Sequence, residues 1–71
     1  MFYQVIRIFF KGEAHSNSVE YFDDYNAAQQ RFYNVIAADL ANAEVTYNAA
    51  YLIDNGGNVI RKEVFGARES A

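Results

Sequence analysis

The chain has 71 residues, with six Phe, six Tyr, one His, no Cys, no Trp and no Pro, and a formal net charge of −3. That length allows one domain; zero Cys excludes disulfide staples, and one His with carboxylates offers little for a structural metal. The mild acidity argues against non-specific nucleic-acid binding, which needs clustered cations, so aromatic burial or self-association must supply the stability that small domains otherwise take from cross-links.

Phe2 to Lys11 (FYQVIRIFFK) is dense in β-branched and aromatic residues and reads as a strand with both faces at least partly covered. Alternation puts Phe2, Gln4, Ile6, Ile8 and Phe10 on one face and Tyr3, Val5, Arg7 and Phe9 on the other. The run is too short to span a membrane and lacks a signal-peptide cleavage pattern, so a soluble, cytoplasmic protein is expected, in keeping with the absence of Cys. Gly12 and Glu13 supply a turn, Ala14 to Asn17 belong to the connection, and Ser18 to Phe22 (SVEYF) form a short second strand.

Asp23 or Asp24 can cap a helix, since either accepts hydrogen bonds from its first N–H groups and suits its positive end. Tyr25, Ala28, Phe32, Val35, Ile36 and Leu40 recur at three- and four-residue steps, which predicts a helix from Tyr25 to Ala41 with Asn42 as its stop. Tyr33 and Ala37 widen the stripe, so one edge is expected to touch something besides the sheet. Asp39 falls inside the stripe, where an unpartnered carboxylate is costly. Its place in the last turn suggests the solvent rim, and the competing expectation is a contact with a partner arginine or with a basic residue of another subunit.

Glu44 to Asp54 alternates as a half-buried strand, Asn55 to Gly57 suits a tight hairpin turn, and Asn58 to Phe65 returns. Gly66 ends that strand, and residues 67–71 read as a flexible polar tail. The expected fold class is α+β: a three- or four-stranded, mostly antiparallel sheet with one helix packed on one face, β-(β)-α-β-β, in a single domain over residues 1–66.

Pairing across the turn places Ile60, Lys62 and Val64 with Tyr47, Tyr51 and Ile53, the expected seat of the helix. The opposite face would hold Leu52, Val59, Arg61, Glu63 and Phe65 with Tyr3, Val5, Arg7 and Phe9. Nothing remains in the chain to cover it, so a second copy or a ligand is expected there. Tyr3, Arg7, Phe9, Arg61 and Phe65 are therefore the expected binding residues. The arginines could pair with Glu63 across strands or clamp the phosphate of a nucleotide shared between subunits.

Groups for chemistry are few. His15 lies among Ser16, Ser18 and nearby acids, but no nucleophile-elbow motif surrounds it and a solvated loop His is the simpler reading. Consecutive Asp23 and Asp24 fit caps better than an acid/base or metal pair, and Gly56 and Gly57 lack the spacing of a phosphate-binding loop. No catalytic residue, metal site or cofactor is expected.

The segment Tyr21 to Leu40 (YFDDYNAAQQRFYNVIAADL), followed by VTYNAAYLIDNGG, resembles short proteins encoded by bacterial phages and mobile elements. That resemblance implies an accessory protein that counters host defence by stoichiometric binding, as an inhibitor of a host defence protein or a sponge for a small anionic nucleotide signal. The strand, helix, strand, strand core is also similar in architecture to the dodecins, small flavin-binding oligomers, which implies a small-ligand storage role. No residue's role carries over from either family. The expected function is a non-enzymatic, self-associating binding protein, with a structural or assembly subunit of a homo-oligomer as the alternative.

Overall fold

Five elements follow one another in a computed structural model that describes residues 1–66: β1 (Tyr3–Lys11), β2 (Ala14–Phe22), α1 (Tyr25–Ala41), β3 (Tyr47–Asp54) and β4 (Val59–Gly66). The tail expected at 67–71 lies outside the described residues. The strands form one antiparallel sheet in the order β2-β1-β3-β4, with α1 inserted between β2 and β3 in sequence. This is the expected α+β architecture in its four-stranded form.

β2 is longer than its apolar part. Gly12 takes a φ of 64° in the two-residue loop, where a residue without Cβ meets no steric penalty, and Lys11 therefore pairs directly with Ala14. Pairing then continues through His15, Ser16 and Asn17, which the sequence suggested were loop. These residues are polar because β2 is an edge strand, exposed from Ala14 to Val19 and with little core to face.

Asp24 caps α1 by accepting a hydrogen bond from the Ala27 N–H at 3.0 Å, and the N–H of the C-cap residue Asn42 donates to the Asp39 carbonyl at 3.3 Å. The segment expected to open β3 instead crosses from helix to sheet. The Glu44 N–H donates to Asn42 Oδ1 at 2.9 Å and the Thr46 N–H to the Phe10 carbonyl at 2.8 Å, so the ladder begins at Tyr47. β4 begins at Val59, and a bulge opposite the Leu52–Ile53 step leaves Ile60 as its extra residue.

Ala28, Phe32 and Val35 of α1 bury against Val5, Ala50 and Leu52, with Tyr3, Phe22, Tyr25 and Ile36 packed around them. Apart from Val59, which the bulge brings opposite Ile53 on the other face, the division of strand residues between two faces follows the expected alternation, since Val5 opposes Leu52 and Tyr51 opposes Lys62. The helix, however, sits on the face of Tyr3, Val5 and Arg7, not on that of Tyr47, Tyr51 and Ile53. The carboxylate in the helix stripe finds its cation on the Arg7 face, and small Ala50, fully buried, leaves room there for a bulky ring such as Phe32. Tyr25 and Phe32 thus belong to the core as expected, while Tyr47 and Tyr51 do not.

Candidate interaction surface

The five expected binding residues do not form an uncovered patch. Arg7 Nε donates to Asp39 Oδ2 at 2.9 Å, and its Nη2 engages Asp39 Oδ1, a two-point pairing across the sheet-to-helix gap. Asn48 Nδ2 also donates to Asp39 Oδ2. Asp39 is 2% exposed and Asn48 0%, so the carboxylate reaches neither the rim nor another subunit. Its partner is an arginine of its own chain, and neither arginine pairs with Glu63.

The hydrogen bonds that it donates to Asp39 hold the Arg7 guanidinium above its ordinary pKa against partial burial, and the charges of Asp39 and Glu20 add to this. The guanidinium carbon also lies 4.2 Å from the Phe9 ring centroid. With an edge taken by a carboxylate and a face by a ring, Arg7 has little left for a phosphate. Tyr3 meets Tyr25 edge-on at 5.4 Å and is part of the core wall. Arg61 stands 6.0 Å from the Tyr33 ring on the outer strand β4, and Phe65 is half-buried at the end of that strand.

Chemistry-bearing residues are placed apart. His15 and Ser16 are consecutive on a strand, so their side chains leave opposite faces, and Ser18 shares the Ser16 side. The His15 ring instead tilts against Phe10 at 5.5 Å. A depression of about 220 Å³ at this end of the β1–β2 hairpin is lined by Phe9, Lys11, Ala14, His15 and Ser16. Among the described residues no cluster of three metal-ligating side chains occurs.

The face without a helix is the larger feature. The register sets its cross-strand rows: His15, Phe10, Tyr47; then Asn17, Ile8, Ala49, Val64; then Val19, Ile6, Tyr51, Lys62; then Tyr21, Gln4, Ile53. Val19 is 51% exposed, Tyr21 69% and Val64 49%. Strand length and spacing give a patch of about 27 Å by about 19 Å, roughly 500 Å² in projection. Gln4, His15, Asn17 and Lys62 interrupt it, and the apolar remainder is of the size of the largest patches that soluble monomers leave in water. No Asp or Glu occurs in these rows, and Lys62, on the outer strand, is the lone Lys or Arg.

The sequence separated these residues correctly and then assigned the helix to them. The signal that places it elsewhere is Asp39 within the helix stripe together with Arg7 on the opposing strand face.

No family model matches the chain, and no curated protein or solved structure matches it either. No helix among the described residues is long and apolar enough to cross a membrane.

Proposed function

We propose that this chain is a small non-enzymatic binding protein that self-associates and acts by stoichiometric contact in the cytoplasm. The observation that carries this reading is the four-stranded sheet that the described residues cover on one side only, and whose other side presents Ile6, Ile8, Phe10, Tyr47 and Tyr51. Burying that face against a second copy releases ordered water from about 500 Å² on each side, close to the lower bound of stable interfaces once side-chain relief is counted.

The segment resemblance supports an accessory role against a host defence component. Engagement of Arg7 by Asp39 favours a protein partner over a nucleotide signal, because only Arg61 of the two expected clamp residues keeps its guanidinium edge.

Native mass spectrometry of the purified protein tests the reading by reporting subunit number and any retained molecule together. The expected result is an oligomer that loses subunits on Ile8→Asp, with the helical circular dichroism kept. A monomer at tens of micromolar that retains nothing and captures nothing overturns it.

A further inference from the structure

β4 is the outer strand on its side of the sheet, and its outward N–H and C=O groups have no strand beside them. Every residue from Val59 to Val64 is exposed. The strand also has an unusual order of side chains: Val59, Ile60, Arg61, Lys62, Glu63, Val64, Phe65. Read from either end towards Lys62 it runs through two apolar residues and then a charge, and the two charges are opposite. Among the described residues neither Lys62 nor Glu63 has an ion-pair partner, and Arg61 rests only near the Tyr33 ring.

We propose that β4 pairs antiparallel with β4 of a second copy about a two-fold axis at Lys62, joining two sheets edge to edge. This rests on the reading of the chain as self-associating and names a contact separate from the bare sheet face.

In that register residues directly opposite share a face, as an antiparallel ladder requires. Arg61 opposes Glu63 of the other copy twice over, on the helix side of the sheet. Ile60, the extra residue of the bulge, comes opposite Val64, and the bulge takes Val59 out of alternation, so the regular part of the contact runs from Arg61 to Glu63. A two-fold axis repeats each favourable pair, so one match in the sequence is used twice. Opposite-charge and β-branched pairs across antiparallel strands are each stabilising, and like charges directly opposite are not.

The like-charge exception is Lys62, which meets its own copy at the axis. Its side chain is exposed and its flexible stem lets the two ammonium groups splay into water, where salt screens them. Lys62 therefore weakens the contact without forbidding it.

The same operation on the other edge gives no such match. About Ser18, β2 would oppose Asn17 with Val19, Ser16 with Glu20, and His15 with Tyr21. No charge finds its opposite, so charge complementarity selects β4 and a second copy as its occupant.

Charge reversal tests this directly, because Arg61 and Glu63 are exposed and neither belongs to the core. Arg61→Glu places two acids opposite one another and is expected to lower the subunit number in native mass spectrometry and light scattering. Arg61→Glu combined with Glu63→Arg restores the opposite pairs and is expected to restore the number. Lys62→Thr is expected to tighten the assembly, lowering its dissociation midpoint in concentration severalfold. Unchanged circular dichroism establishes that each variant folds.

An assembly indifferent to Arg61→Glu, or one that the double exchange fails to restore, overturns the β4 contact. If Ile8→Asp alone dissociates such an assembly, the bare-face reading survives without it. A monomeric parent protein removes both. Recovery of a foreign peptide strand on β4, with no second copy, also overturns the proposal.

Discussion

Both faces of this sheet carry many apolar side chains, the bare one more than the other, yet the helix takes the less apolar of the two. On the helix face the fit includes a charge match: Asp39 arrives in the apolar stripe and finds Arg7 and Asn48. On the bare face the rows are bulkier and hold no Asp or Glu. Apolar content therefore decides that both faces want cover, while a single buried carboxylate decides which one the chain covers itself. A buried ion pair is weak as a source of stability, but a mismatched one is expensive, so it acts by excluding the wrong packing.

The largest effect that would break this contrast is loss of the ring beneath the helix. Phe32, 1% exposed, is expected to cost about 3–5 kcal/mol as Ala, against a total near 4–10 kcal/mol for a chain this size, whereas Ile8→Ala on the bare face of the dissociated monomer should cost less than about 1 kcal/mol. Urea denaturation of both at low protein concentration makes the comparison.

Next comes the charge match. Asp39→Ala leaves the Arg7 guanidinium and the Asn48 amide unpaired and is expected to cost about 2–3 kcal/mol, less than a fully buried pair because the Arg7 side chain keeps 24% of its exposure. The joint replacement Arg7→Met with Asp39→Leu and Asn48→Ala removes every stranded polar group and should recover most of that loss in the same denaturation series. If it does not, the carboxylate is more than a device for choosing a face.

A smaller effect is expected at the corner of the bare face. Gly66 has a φ of 128°, and a Cβ there would come within 2.5 Å of the Thr46 carbonyl oxygen, so Gly66→Ala should cost about 1–3 kcal/mol and raise amide exchange at the end of β4. The Arg31 to Glu20 pair at 2.7 Å lies at the helix margin with both side chains more than 40% exposed. Glu20→Gln should therefore change stability by less than about 1 kcal/mol, with an effect that fades in high salt.

The least effect should come from Asp54, in the β3–β4 turn. The Asn58 N–H holds its carboxyl below the ordinary value; slight desolvation opposes this, and the Asn58 side chain and the Gly56 N–H assist. A lowered folded-state pKa contributes stability that is complete above the ordinary carboxylate range and fades as pH falls below about 4. Thermal melts at pH 5 and pH 3 should show a shallower fall for Asp54→Asn than for the parent.

Much of the fold was legible. The helix from Tyr25 to Ala41 has the spacing, the cap and the stop in its own residues, and the β3–β4 turn declares itself through Asn55 to Gly57. The full length of β2 was not, because an edge strand needs no apolar alternation and His15 to Asn17 look like loop. The candidate site was half legible: alternation sorted the faces, but apolar counts could not say which one α1 would take. That choice depended on a long-range partnership between positions 7 and 39, and no local pattern announces one.

The order β2-β1-β3-β4 also bears on how fast this protein can form. β1 with β2 and β3 with β4 are hairpins closed by short turns, and such contacts form within microseconds. β1 with β3 is different: even its nearest partners in sequence, Phe10 and Tyr47, have the whole of α1 between them. Closing that long loop pays its entropy before the core repays it. The central pair is thus the kinetic bottleneck, and Val5 and Leu52, buried opposite one another across it, are where a substitution should slow folding most.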